Sequence, residues 1–122
     1  MSRTEGVLRT GPVRSSGYAL KLRRVVNAAL RPLIKGGTLT ADQVNEELTK
    51  LNRALYSYIV EKYQIPKEAV VNVALRYTVE GGRFSITDAQ VDIYERDDIL
   101  SNNVTEGVRR DLQLPQSQQG AQ

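Results

Sequence analysis

Basic side chains are the residues of this sequence whose type and spacing most clearly imply a chemical role. The first 35 residues contain eight lysines and arginines and one acidic residue, Glu5, which gives a net charge of +7. Residues 36–122 contain nine basic and thirteen acidic residues, a net charge of −4. This asymmetry favours a polyanion as the partner of the N-terminal end. The alternative is that an acidic surface of the same fold, or of a second subunit, neutralises the charge.

An amphipathic helix predicted over residues 18–37 would display most of these charges. Its apolar residues recur every three or four positions and share one side, so the basic residues fan across the other side. Contacts with phosphates would read backbone charge and not base identity. We predict such contacts for this helix and the segment before it, at Arg14, Lys21, Arg23, Arg24, Arg31 and Lys35.

Aromatic stacking surfaces usually accompany a basic groove in proteins that bind single-stranded nucleic acid. Tyr18 precedes the basic helix, and Tyr94 is expected on the polar outer face of a sheet, beside Arg76 and Arg83. We therefore predict stacking by Tyr18 and Tyr94, with the two arginines as further contacts. An ordinary solvated face is the alternative for Tyr94. Three other tyrosines are predicted to belong to the core: Tyr56, Tyr58 and Tyr63.

The composition argues against catalysis. The sequence has no cysteine and no histidine, which removes thiol chemistry, thiolate metal sites and the commonest general base. Neither a phosphate-binding loop nor a dinucleotide-binding motif is present. We predict no enzyme activity, no cofactor and no metal site; a small carboxylate enzyme with a metal is the least favoured interpretation. Four acidic residues could offer oxygen ligands, but their spacing fits an acidic strand end better than a calcium loop: Asp92, Glu95, Asp97 and Asp98.

The hydrophobic pattern predicts an α+β fold. A second helix is predicted over residues 40–63, with Thr40 as its cap, and a short link to the first helix favours an antiparallel pair. Residues 69–79 and 83–95 alternate in strand fashion around Gly81 and Gly82. We expect two long helices packed on one face of a small antiparallel sheet that contains a bulged Gly-Gly hairpin.

The bulge follows from the pairing of these two strands. A two-residue turn pairs Val79 with Phe84, but the same register sets Leu75 opposite Asp88 on the buried face. Burying unpaired polar groups there would cost at least about 1–3 kcal/mol each. One extra residue at Thr87–Asp88 restores apolar partners, giving the pairs Leu75–Ala89, Val73–Val91 and Val71–Ile93. This register also places Phe84 in the core.

The predicted organisation is one central domain with an extension at each end. Residues 1–16 form a basic arm that could include a short edge strand, and residues 17–98 form the α+β nucleic-acid-binding domain. Residues 99–113 contain a short helix, expected from about Thr105 to Leu112, and residues 114–122 form a disordered tail. No apolar run reaches the roughly 20 residues of a membrane span, so we expect a cytoplasmic protein without a membrane partner.

Two stretches resemble the archaeal ThermoDBP-related proteins: GYALKLRRVVNAAL, and LTADQVNEELTKLNRALYSYIVEKYQIPKEAVVNVALRYTVEGG. The similarity spans residues 5–96. It implies a helix-plus-antiparallel-sheet fold distinct from the OB fold, binding of single-stranded DNA with little sequence preference, and oligomers built through C-terminal segments. A cleft lined by several phenylalanines is known in the family, whereas this sequence has one phenylalanine.

The favoured hypothesis is therefore a sequence-tolerant binder of single-stranded DNA, with RNA as a second candidate ligand. A homo-oligomer is expected, with a dimer favoured. The alternative is a non-catalytic protein-interaction or scaffolding module whose basic helix docks on an acidic partner.

Overall fold

The computed structural model describes residues 3–115 and confirms the predicted α+β fold. In chain order its elements are β1 (Thr4–Arg9), β2 (Val13–Arg14), α1 (Tyr18–Lys35), α2 (Ala41–Tyr56), β3 (Val70–Glu80), β4 (Arg83–Tyr94) and α3 (Asp98–Asp111). A short 3-10 helix, Ser15–Gly17, leads into α1, and a π-helix, Ser57–Lys62, continues α2. The segment predicted as a basic arm thus supplies the strands β1 and β2.

Strand β3 is the centre of the antiparallel sheet, with β4 on one side and both β1 and β2 on the other. The break between β1 and β2 falls at Gly11 and Pro12, where proline has no N–H to donate to the sheet. Thr10 fills the break. Its backbone N–H donates to the carbonyl of Val73 (2.9 Å), and its Oγ1 accepts from the backbone N–H of Val73 (3.0 Å).

Replacing Thr10 with valine is expected to destabilise the fold by about 1–3 kcal/mol, because it leaves the buried N–H of Val73 without an acceptor. Valine has nearly the same shape, so the change tests the hydroxyl group alone. Urea unfolding measures the loss. The matched control is Thr4→Val at an exposed position of β1, for which we expect a change within about 0.5 kcal/mol. Equal stability of the two variants would contradict this role of Thr10.

The register of the β3–β4 hairpin shifts by one residue, because one residue of β4 is unpaired. Gly81 and Gly82 have φ angles of 61° and 76°, which the tight turn requires. Tyr77 pairs with Ile86 and Arg76 with Asp88, so Thr87 lies between them without a partner. Beyond it, the pairs Leu75–Ala89, Val73–Val91 and Val71–Ile93 are those expected from the sequence. The side chain of Phe84 is fully buried, as predicted.

Helices α1 and α2 pack against the inner face of the sheet. The buried core comprises Tyr18, Leu22, Val26 and Leu30 of α1, Leu39 of the link, Val44, Leu48 and Leu55 of α2, Ile59 of the π-helix, and Val71, Val73, Leu75, Val79 and Phe84 of the sheet. Thr40 caps α2 as predicted, because its side chain accepts from the N–H of Gln43 (3.2 Å). The side-chain amide of Gln43 donates to the backbone carbonyl of Phe84 (2.8 Å) and accepts from the backbone N–H of Phe84 (2.9 Å). These bonds fix the start of α2 against β4.

The C-terminal helix α3 is longer than predicted. It begins at Asp98 and not near Thr105, and the carboxylate of Asp97 caps it by accepting from the N–H of Leu100 (2.9 Å). No residue of α3 is buried. The predicted tail, residues 114–122, lies outside the described residues from position 116 onward. Within residues 3–115, no helix has the length and apolar character needed to cross a membrane.

Candidate nucleic-acid interface

The basic side chains of α1 are exposed to solvent. This basic face comprises Lys21, Arg23, Arg24, Arg31 and Lys35, all exposed. Arg24 and Arg31 lie opposite the buried side of the helix, seven residues and therefore about 10 Å apart along its axis. Arg23 lies towards α2, where its guanidinium is 3.5 Å from Oδ1 of Asn45. Among residues 3–115, no member of the basic face forms an ion pair with an acid, so its charge is directed to solvent.

Four other residues predicted to contact nucleic acid, three arginines and Tyr94, lie on the opposite side of the domain. Arg76, Arg83 and Tyr94 are exposed on the outer face of the sheet, away from the helices, and Arg14 belongs to the same face. On this face acidic residues accompany the basic ones, because Arg76 is paired across the strands with Asp88, and Arg83 with Glu80. The outer sheet face therefore has mixed charge, unlike the basic face.

Asp92 adds a fixed negative charge near Tyr94. The carboxylate accepts from the side-chain amides of Gln90 (3.0 Å) and Asn72 (3.3 Å). These two hydrogen bonds lower the pKa of Asp92 below its usual value, with a further contribution from Arg9. Because Asp92 and Tyr94 lie on the same face of β4, the carboxylate disfavours phosphate beside the tyrosine. Nowhere in the described part of the chain do three acidic side chains gather in a way that could hold a metal ion.

Tyr18 does not fit the predicted stacking role. Its side chain is only 6% exposed and belongs to the core beneath α1. Burial raises the pKa of its phenol above the usual value, and nearby Tyr56 adds to the rise. The ring therefore offers little open surface on which a base could stack.

The tyrosines predicted to belong to the core are instead exposed, which corrects that prediction. Tyr58 and Tyr63 are 55% and 63% exposed, and Tyr56 is exposed as well. The π-helix explains the pair. Residues five apart lie about 140° apart around an α-helix, whereas the wider π-helix returns them to one side. The backbone N–H of Tyr63 donates to the carbonyl of Tyr58 (3.0 Å), and the ring centroids are 6.5 Å apart with planes at 23°.

The two rings stand at an apolar cleft of about 730 Å³ between the end of α2 and β4. This tyrosine cleft is lined by Leu51, Ala54, Leu55, Tyr58, Ile59, Tyr63, Ile65, Ala89, Val91 and Ile93. The unpaired residue in β4 contributes to it, because the shifted register turns Ala89, Val91 and Ile93 towards the helices. The ammonium of Lys62 lies 5.5 Å from the centroids of both rings. Aromatic faces, an apolar floor and one cation suit a planar base with its phosphate.

Two comparisons with known proteins give matches. A family model described as ThermoDBP-related, archaea, matches residues 8–85, which is 78 of the 122 residues. A solved structure of apeThermo-DBP-RP2 bound to ssDNA dT10 resembles this fold with a TM-score of 0.74 and 30% sequence identity. The alignment covers 90% of this chain and 54% of that protein, so the chain spans just over half of that protein's length. No curated protein matches the chain significantly. On the match to the family model, the chain belongs to the ThermoDBP-related family of archaea.

Proposed function

We propose that this protein binds single-stranded DNA with little sequence preference and does so without catalysis. The observation that carries the proposal is its similarity, over nearly its whole length, to a protein whose structure holds the single strand dT10. The tyrosine cleft and the basic face supply the two kinds of contact that such binding requires. The cytoplasm is the compartment we expect for it.

The tyrosine cleft is the surface that we assign to the bases. Every base has a π-face, so stacking on Tyr58 and Tyr63 is tolerant of sequence. The rest of the lining is aliphatic, so its side chains offer no hydrogen-bonding groups that would distinguish one base edge from another. A duplex keeps its bases stacked inside and cannot present them to this cleft. The cleft therefore favours single strands over duplexes.

The basic face is the surface that we assign to phosphates. The cleft and the basic face flank α2, because Leu51 and Ala54 line the cleft while Asn45 contacts Arg23 of α1. A helix with its side chains is about 10–12 Å wide. A strand of ten nucleotides is about 34 Å long at about 3.4 Å per nucleotide. One strand is thus long enough to contact both surfaces by crossing α2.

Fluorescence anisotropy with labelled dT10, a duplex of the same length and an oligouridine of the same length tests this function. We expect dT10 to bind more tightly than the duplex, with log K falling linearly against log salt by about 0.7 per phosphate engaged. The oligouridine measures whether RNA is also a ligand. Equal affinity for all three would contradict the proposal and would favour the basic face as a docking surface for an acidic protein.

We also propose that α3 joins two copies of the chain. Its apolar residues recur at intervals of four and are exposed in the single chain: Leu100, Val104, Val108 and Leu112. Such a stripe is typical of a helix that pairs with another helix.

Replacing Val104 with aspartate is expected to convert the dimer to a monomer, because a charge would have to be buried in the helix–helix contact. Light scattering coupled to gel filtration, at several protein concentrations, measures the mass. Asn103→Asp introduces the same charge at an exposed neighbour outside the stripe and should leave the dimer intact. A wild-type protein that stays monomeric at the highest concentration would contradict this assembly.

A further inference from the structure

In the described part of the chain, Lys62 is the one charged residue held over the aromatic rings of the tyrosine cleft. Its Nζ lies at the same distance, 5.5 Å, from the ring centroids of Tyr58 and Tyr63. Both distances fall within the roughly 6 Å at which a cation is attracted to an aromatic ring. Among residues 3–115, Lys62 forms no ion pair with a carboxylate. In the free protein its charge is therefore directed to the two rings.

This position conflicts with the stacking of a base. A base must lie against a tyrosine ring, and the ammonium attracted to the two rings competes with it for the same surface. The flexible four-carbon stem of lysine allows the ammonium to move away while the backbone stays in place. A phosphate of the entering strand would attract the ammonium most strongly, because the phosphate carries a full negative charge and the tyrosine rings carry no net charge.

We propose that Lys62 acts as a switch in the tyrosine cleft. Its ammonium occupies the aromatic surface in the free protein and moves to a phosphate when a base takes its place. The switch rests on the proposed single-strand binding and specifies which group occupies the aromatic surface before the strand binds. Lys62 thus both adds a phosphate contact and competes with the base.

These two effects respond differently to salt. The phosphate contact weakens as salt rises, because each counterion released on binding gains less entropy when the surrounding salt is more concentrated. The contact between the ammonium and the rings is short-ranged and exists without the strand, so salt reduces it much less. Lys62 should therefore strengthen binding at low salt and weaken it at high salt.

Anisotropy titrations of dT10 across a salt series, for the full chain and for Lys62→Met, test the switch. Methionine keeps a long flexible side chain and removes the charge. We expect the slope of log K against log salt to fall by about 0.7, the value for one phosphate on a single strand. We also expect the two lines to cross, so that Lys62→Met binds more tightly than the wild type at the highest salt.

Lys35→Met is the matched control, because Lys35 belongs to the basic face and is not held over an aromatic ring in the described chain. Its slope should also fall, but its line should stay below the wild-type line throughout. An unchanged slope in Lys62→Met would overturn the phosphate contact, and a line below the wild type at every salt would overturn the competition. No binding of dT10 by the wild type would overturn the proposed function, and this inference with it.

Discussion

Replacing Tyr58 and Tyr63 together with alanine is expected to weaken the binding of dT10 about 100-fold. Stacking of a base on an aromatic ring is worth about 1–3 kcal/mol by alanine substitution, and about 2.7 kcal/mol corresponds to 100-fold. The two rings stand together at the cleft, so a single replacement leaves a neighbour on which the base can still stack. Anisotropy titration measures the loss. The salt slope should stay nearly unchanged, because neither ring carries charge.

Tyr56→Ala is the matched control for this pair. Tyr56 is similarly exposed but does not line the tyrosine cleft, so we expect binding within about twofold of the wild type. Because Tyr58 and Tyr63 are more than half exposed, their replacement should leave the domain folded, and urea unfolding verifies this. A large loss in Tyr94→Ala, with none in the cleft variant, would instead assign the bases to the outer sheet face.

Reversing two charges of the basic face, Arg24→Glu with Arg31→Glu, is expected to weaken dT10 binding by more than about 10-fold at low salt. Two phosphate contacts are lost, so the slope of log K against log salt should fall by about 1.4, and the new carboxylates repel the strand. Both side chains are exposed on the side of α1 away from the core. Circular dichroism should therefore show an unchanged fold.

The comparison variant is Arg76→Glu with Arg83→Glu, which makes the same change of charge on the outer sheet face. Each of these arginines already has an acidic partner across the strands, so we expect a smaller loss of affinity and a smaller change of slope. Retained affinity in the Arg24 and Arg31 variant would remove the basic face from the account. A larger loss of affinity in the Arg76 and Arg83 variant would assign the phosphate contacts to the outer sheet face.

The sheet register could be predicted from sequence because a buried face tolerates few polar residues. Alternation in β3 and β4 forced one unpaired residue near Thr87, and the observed shift falls there. The burial of Phe84 followed from the same pairing. The burial of Tyr18 also has a signal in the sequence, because Tyr18 lies four residues before Leu22 and continues the buried stripe of α1.

The tyrosine cleft could not be predicted in this way. An α-helical repeat of 3.6 residues places Tyr58 beside the buried Ile59 on the apolar stripe of α2. The hydrophobic pattern does not reveal that the helix widens to a π-helix after Tyr56. π-helices are rare and short, so the residue pattern alone does not distinguish this turn from a continuing α-helix. The start of α3 was also missed, because its first residues are polar or exposed and its apolar stripe has no partner within the described chain.

The most direct test of the account compares dT10 with a strand of ten abasic deoxyribose phosphates, which keeps the phosphates and removes the bases. We expect the abasic strand to bind about 100-fold more weakly, as the double tyrosine variant does, because it cannot stack on Tyr58 and Tyr63, and to show the same salt slope. Equal affinity of the two strands would show that binding depends on phosphates alone, and would contradict the assignment of the bases to the tyrosine cleft.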